Sequence, residues 1–211
     1  MASFSFGAGN AGKLLRIPLY VLGRAVTLVI PRTRDRWVFG CAVGVADGAW
    51  ALWQYAVADG VRAVWLTSGA RDEAQARGRG IPSVPKNSLR GFWLTARAAV
   101  AVITHGFGDV NRYAATGGVI VQLWHGIPLK RIGLDAPVTT QSPLPGAPVA
   151  IGRVLARLLA ALYRNTQRRI RVLPAASHLV RGRLESAFGL PDERVPVTGE
   201  PRVDVLSRGR A

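Results

Sequence analysis

The segment spanning residues 122–133 (QLWHGIPLKRIG) carries the residue types best suited to chemistry. Apolar residues that predict a strand run directly into His125 and Gly126. In open α/β sheets ligands bind at the carboxyl ends of the strands, and an imidazole placed there can act as a general base near neutral pH. Gly126 would let the backbone approach a ligand closely, and Lys130 and Arg131 could hold phosphate oxygens. The alternative is a structural imidazole whose hydrogen bonds are satisfied within the fold.

A second histidine, His105, follows another predicted strand in the segment 104–109 (THGFGD). We expect it to line the same cleft as His125, and the alternative is a turn residue beside two glycines. The third histidine, His178, falls near a predicted helix start, where a surface or capping role is expected. Three scattered histidines and a single cysteine have no metal-ligand spacing, so no metal site is predicted.

The elements that must position these residues alternate between strands and helices, which predicts an α/β fold with a parallel sheet. Strands are predicted at 36–40, 62–67, 99–104, 118–123, 171–173 and 195–197. Helices are predicted at 48–59, at 88–97 and 177–188 with Ser88 and Ser177 as N-caps, and at 151–168. Residues 68–87 are expected to form a short helix and a loop, and the proline-rich stretch 135–148 a long loop.

The first 30 residues are expected to be separate from this sheet. Residues 1–10 are predicted to be a disordered lead, and residues 11–30 form an apolar stretch that also contains three basic residues and Pro18. Those charges argue against a membrane span, and no signal-peptide cleavage site follows. A basic amphipathic helix in the headgroup plane of a membrane fits better. The alternative is an ordinary helix packed on its own domain.

The amino-acid composition limits the kinds of molecule that the protein is expected to bind. The 211 residues are 49% hydrophobic, which is enough for a large buried core. Arg accounts for 25 of 28 basic residues, and with 12 acidic residues the formal net charge is +16. This favours phosphate-bearing substrates or anionic lipid surfaces, although a general Ala, Arg and Gly bias would also produce it. No nucleic-acid partner is expected, because no nucleic-acid motif is present. The lone Cys41 excludes a disulfide scaffold and suits a reducing cytoplasm.

The chemistry-bearing segment also resembles a known family. Trp124, His125 and Gly126, with Pro128 and Lys130 after them, resemble the signature of the CDP-glycerol glycerophosphotransferase family, which makes poly(glycerol phosphate) of the teichoic-acid type in bacterial envelopes. Further segments resemble the family in the same order, at 35–40, 62–66, 101–104, 177–191 and 197–206. The resemblance therefore covers about residues 31–206.

The resemblance implies an α/β fold with a Rossmann-like parallel sheet and flanking helices, similar to the N-terminal acceptor half of a GT-B glycosyltransferase-like enzyme. It implies that glycerol phosphate passes from CDP-glycerol to a membrane-linked polyol-phosphate acceptor, with release of CMP. CDP-glycerol is then a substrate, and no cofactor is expected. The location implied is the cytoplasmic face of the bacterial plasma membrane, on its anionic surface.

The resemblance makes His125 the candidate base. Candidate contacts of the acceptor or of phosphate are Trp124, Gly126, Lys130, Arg131, His105, Asp109 and Arg202. Beside His105, either Asp109 or Asn111 is expected to orient acceptor hydroxyls. Arg202 and Asp204 fall at the expected domain junction, where a structural ion pair and a ligand contact both remain open.

This sequence departs from the family pattern at Ile127, where a small hydroxyl residue is common, and at Glu200, where an apolar or aromatic residue is usual. A larger departure is length, because the family's nucleotide-binding half is expected to be missing after residue 206. No Gly-rich phosphate loop substitutes for it. We therefore expect little or no transferase activity from these residues alone. The alternative function is a non-catalytic basic module that binds a membrane or an anion.

Overall fold

The computed structural model describes residues 17–140, 148–204 and 206 of the chain. One sheet runs through it, in the order β3–β2–β1–β4–β5–β6, and all neighbouring strands are parallel. The strands are β1 (Arg36–Phe39), β2 (Arg62–Thr67), β3 (Ser83–Pro85), β4 (Val100–Ile103), β5 (Val119–Gln122) and β6 (Ile170–Val172). The helices are α1 (Ile17–Val29), α2 (Asp47–Ala58), α3 (Ala70–Gly78), α4 (Leu89–Arg97), α5 (Pro137–Thr140), α6 (Val149–Gln167) and α7 (His178–Phe188).

This strand order creates a crevice near the middle of the sheet. The chain leaves β1 towards one edge through β2 and β3, and then returns to place β4 on the other side of β1. The loops after β1 and β4 therefore diverge at the carboxyl edge of the sheet, which is where ligands bind in open α/β folds. The Rossmann-like parallel sheet predicted from the sequence is confirmed.

Both faces of the sheet are buried, as a parallel sheet requires. Successive residues of a strand point to opposite faces, so each central strand supplies both hydrophobic cores. One core contains Val38, Leu66, Ile103, Ile120 and Leu173. The other contains Phe39, Trp53, Trp65, Val102 and Leu123. Within it, the Phe39 ring lies 5.1 Å from Trp53 and 6.1 Å from Trp65, so aromatic packing joins α2 to the sheet.

The predicted helix caps are confirmed. The Ser88 hydroxyl accepts a hydrogen bond from the Gly91 amide at the start of α4, and the Ser177 hydroxyl accepts one from Val180 at the start of α7. Each hydroxyl satisfies an amide that the helix itself leaves unpaired. His178 is the first residue of α7 and is exposed, as expected.

Two predictions about the sheet were wrong. Residues 83–85 form the edge strand β3, although they were expected to be a loop, because only three residues pair and Pro85 obscures the strand pattern. Residues 195–197, predicted to be a strand, make a single bridge between Ala175 and Val197. Pro196 lacks the N–H that a longer ladder would need. The predicted lead 1–10, residues 11–16 of the predicted amphipathic helix and residues 141–147 of the predicted loop lie outside the described residues.

Helix α1 begins at Ile17 and packs on the rest of the chain along a narrow strip. The Tyr20 ring lies 4.9 Å from that of Tyr113, and Gly23 sits so close to Tyr113 that a Cβ there would lie 2.7 Å from the Tyr113 carbonyl oxygen. Most of its large apolar side chains face solvent, including Leu28, which is 75% exposed. Among residues 17–140 and 148–204, no helix combines the length and apolar character needed to cross a bilayer.

Candidate functional site

The carboxyl ends of β4 and β5 are tied together below the two histidines. The buried Gln122 side chain donates a hydrogen bond from Nε2 to the Thr104 carbonyl at 3.0 Å, and the Leu123 amide donates to the Ile103 carbonyl at 2.8 Å. Because β4 and β5 are neighbours, the residues that follow each strand emerge side by side. His105 and His125 therefore leave the sheet at the same edge.

The two imidazoles are in contact. Their ring centroids lie 4.3 Å apart, with the planes inclined at 53°. His105 is partly buried, and its Nδ1 lies 2.8 Å from the Thr104 hydroxyl. His125 is exposed at the edge of the sheet. This is the open presentation that a general base acting on a substrate hydroxyl requires.

The turn that presents His125 has an unusual backbone. Trp124 has φ +60°, a left-handed conformation uncommon outside glycine, and Gly126 has φ +143°, which only glycine adopts readily. The Trp124 ring is partly buried and packs edge-on against the His125 ring at 4.1 Å and against Phe188 at 5.2 Å. The Trp124 ring therefore packs against one side of the His125 imidazole and restricts its orientation.

Asp109 faces inward and organises the turn that carries His105. Its carboxylate is 1% exposed, and Oδ2 accepts hydrogen bonds from the amides of Thr104, His105 and Gly106 at 2.8, 2.7 and 3.3 Å. Burial raises the pKa of this carboxyl group, and the amide donors oppose that shift. The placement favours a role in holding the His105 turn over direct contact with acceptor hydroxyls.

Asn111, the other candidate for orienting hydroxyls, is also buried. Its side-chain amide donates to the Lys86 carbonyl at 2.8 Å, and its oxygen accepts from the Tyr113 amide at 3.2 Å. The Lys86 ammonium in turn donates to the Gly108 carbonyl at 2.6 Å. These hydrogen bonds tie the loop after β4 to the end of β3.

The surroundings of His125 favour its neutral form. Partial burial lowers the pKa of the imidazole, and the nearby His105 and Arg202 lower it further, while Asp47 acts in the opposite direction. A lowered pKa means that the ring is unprotonated, and so able to accept a proton, at neutral pH. The local electrostatics therefore favour the unprotonated His125 that a general base requires.

Arg202 reaches the His125 turn from the far end of the chain. Its Nη1 donates to the His125 carbonyl at 3.0 Å, and its Nε donates to Glu200 Oε2 at 2.7 Å. Asp47 Oδ1, at the start of α2, lies 3.8 Å from Nη1. Asp47 was not a candidate in the sequence, where an aspartate at a helix start carries no signal of a site.

The two remaining cationic candidates lie apart from this group. Lys130 and Arg131 are exposed, and neither makes a hydrogen bond or ion pair with another described residue. The structure therefore brings together His105, His125 and Arg202 but leaves the two cations of the 122–133 segment free in solvent.

Two concavities lie elsewhere in the described part of the chain. One of about 870 Å³ is lined by the ends of α6 and α7, and one of about 400 Å³ lies beside Trp50 and Arg79. Neither is lined by His105 or His125. The candidate site lies outside both concavities, at the carboxyl edge of the sheet.

Comparison with protein families decides what this arrangement belongs to. The family model described as CDP-Glycerol:Poly(glycerophosphate) glycerophosphotransferase matches residues 25–211. The chain belongs to this glycerophosphotransferase family. The match includes the histidine turn and the Arg202 segment, so the family resemblance stated from the sequence is confirmed. A comparison with curated protein sequences found no significant match.

Solved structures of the wall teichoic acid polymerase TagF share the fold of this glycerophosphotransferase-family chain. One covers 93% of this chain with a TM-score of 0.67 and 20% sequence identity, and a variant soaked with CDPG covers 92% with a TM-score of 0.65 and 20% identity. In each case the match covers 48% of the TagF chain. This chain therefore spans about half the length of the structures that it matches.

Proposed function

We propose that the protein takes part in the transfer of glycerol phosphate from CDP-glycerol to a hydroxyl group of a membrane-linked polyol-phosphate acceptor, in teichoic acid-type polymer synthesis. The observation that carries the proposal is the exposed, neutral-favouring His125 at the carboxyl edge of the sheet, in contact with His105. Membership in the glycerophosphotransferase family supports the same reaction.

In the proposed reaction the acceptor oxygen attacks the glycerol-linked phosphorus in line with the bond to the CMP oxygen. The new P–O bond forms as that bond breaks, and CMP leaves with the bonding electron pair. His125 accepts the proton of the attacking hydroxyl. Charge that spreads over the phosphoryl oxygens needs fixed cations, and the exposed Lys130 and Arg131 are the candidates nearest in sequence.

The donor side of the reaction is also part of the proposal. CDP-glycerol acts as a substrate and no cofactor takes part. We place the CDP-glycerol nucleotide against a second unit that faces the carboxyl edge of this sheet, as in a GT-B arrangement. The exposure of His125 at this edge supports the placement.

The test is acceptor-dependent release of CMP from CDP-glycerol. The protein is purified from the cells that make it, so that any segment or chain completing the site is retained. CMP release that requires both CDP-glycerol and a glycerol-phosphate acceptor supports the function. A preparation that binds anionic vesicles but releases no CMP under any acceptor condition favours the alternative, a non-catalytic basic module.

That alternative rests on a specific observation, which also supports a membrane location for the enzyme. On α6, exposed apolar side chains recur at helical spacing, at Ile151, Val154, Leu158 and Leu162. A separate face of the same helix carries Arg153 and other arginines. Together with the exposed apolar side chains of α1, this surface has the composition of a peripheral, anionic-membrane contact. We therefore place the protein at the cytoplasmic face of the plasma membrane.

The membrane contact predicts a loss of vesicle binding when the apolar face of α1 is made acidic. The double substitution Leu22→Asp with Leu28→Asp introduces two charges where both side chains are more than half exposed, so the fold is retained. We expect its sedimentation with phosphatidylglycerol vesicles to fall at least tenfold. The matched control is Leu179→Asp on α7, which is 70% exposed and should sediment as the native protein does. Equal sedimentation of all three proteins would contradict the membrane contact.

A further inference from the structure

Two residues with strained backbones lie near the side chain of Arg202. Among the described residues other than glycine, only Asp47 and Trp124 have a positive φ, at +61° and +60°. A residue other than glycine stays in the left-handed region only where the surrounding structure imposes it. Asp47 and Trp124 come from different parts of the chain, yet the Arg202 guanidinium lies beside Asp47 and contacts His125, the residue after Trp124.

The contacts of Arg202 explain how the strain is held. Its Nη1 donates to the carbonyl of His125, the residue that follows Trp124, and lies 3.8 Å from Asp47 Oδ1. Its Nε donates to Glu200, whose side chain is largely buried. A Cβ at Gly126 would lie 3.2 Å from Arg202 Nη2, so the guanidinium also packs on the glycine of the turn.

We propose that Arg202, held in place by Asp47 and Glu200, is a positioning residue that fixes the 124–126 turn and so presents the His125 imidazole. Two carboxylates neutralise the guanidinium, which leaves it a weaker attractor of substrate phosphate than a free arginine. What His125 does once presented rests on the proposed function. The positioning itself is measurable without turnover.

Arg202 and Asp47 affect both the position of His125 and the charge around it. Arg202 contacts the His125 carbonyl, and the Asp47 carboxylate lies 3.8 Å from Arg202, so opposite charges lie close to His125. The His105 ring contacts the His125 ring, and the His105 amide donates to the buried Asp109. Removing the guanidinium removes a cation near the imidazole, and removing the Asp47 charge removes an anion. The two changes must therefore move the protonation of His125 in opposite directions.

The test follows the His125 ring by NMR in Arg202→Met, Arg202→Lys and Asp47→Asn proteins. We expect the His125 pKa to rise in Arg202→Met, to fall in Asp47→Asn, and to change least in Arg202→Lys, which keeps the charge. In the CMP-release assay, Arg202→Met should lower kcat about 10²-fold with little change in KM for the acceptor, since the base is misplaced. Arg62→Met is the matched control, because its ion pair with Asp35 is exposed at the opposite edge of the sheet.

Unchanged His125 titration in both Arg202→Met and Asp47→Asn would overturn the proposal. So would a raised KM with unchanged kcat, which would make Arg202 a direct ligand of substrate phosphate. If Arg202→Met does not fold, Asp47→Asn and Arg202→Lys decide the matter: the His125 pKa should fall in Asp47→Asn and change little in Arg202→Lys, and an unchanged His125 pKa in Asp47→Asn would overturn the proposal. Opposite shifts without any CMP release in the native protein would leave the positioning intact and refute the proposed function.

Discussion

His125→Asn is expected to lower CMP release by about 10²–10⁴-fold, the range that a general base contributes. Asparagine fills a similar space but cannot accept a proton at neutral pH. Because His125 is exposed and its ring does not support the core, the free energy of unfolding should stay within about 0.5 kcal/mol of the native value. The measurement is CMP release under saturating CDP-glycerol and acceptor, with urea unfolding alongside.

The matched control is His178→Asn, which makes the same change at an exposed histidine on α7. It should retain native CMP release. Native CMP release by both the His125 variant and this control would show that His125 takes no part in the reaction. An equal loss in both would point to a general effect of histidine replacement.

Gly40→Ala is expected to lower the free energy of unfolding by about 1–3 kcal/mol. Gly40 follows β1 at the switch point, where its amide donates to the Val102 carbonyl at 3.0 Å. A Cβ there would overlap the carbonyl oxygen of Asp109 and lie 2.6 Å from its carbonyl carbon. Both are backbone atoms, so the loop that carries Asp109 must move. Urea denaturation gives the change in free energy, and the melting temperature should fall by several degrees.

Gly78→Ala is the control for this effect. Gly78 ends α3, and a Cβ there meets no other atom within 4 Å. Alanine should leave the stability unchanged or raise it by up to about 1 kcal/mol, since it favours the helix. A Gly40→Ala protein as stable as the Gly78→Ala protein would mean that the loops after β1 and β4 do not pack as closely as described.

Much of the fold was predictable because local patterns and tertiary structure agree. Strand β2 has the predicted bounds, 62–67, since an apolar run bounded by turn residues fits only a buried strand there. The caps Ser88 and Ser177 act locally and need no tertiary information. By contrast, the sequence does not show which aromatic residues α2 buries. Trp53 is buried and Tyr55 is 46% exposed, because the burial of a helix face depends on the sheet it packs against.

The candidate site was predictable only in part, for the same reason. That His105 and His125 share an edge follows from two strands pairing in parallel, a consequence of topology. Arg202 and His125 are 77 residues apart in the sequence, and no local sequence pattern predicts the contact between Arg202 and the His125 carbonyl. The inward orientation of Asp109 depends on three amides of its own turn, which a motif cannot show.

The central claim is that a neutral His125 accepts the proton of the acceptor. The most direct test compares the pH dependence of kcat/KM for CMP release with the NMR titration of His125 in the same protein. Because burial, His105 and Arg202 all lower the His125 pKa, the rate should be constant near neutrality. It should fall only below the ordinary histidine value of about 6.5. The acid limb of the rate and the titration of His125 are expected to coincide. A limb that lies above pH 6.5, or apart from that titration, would contradict it.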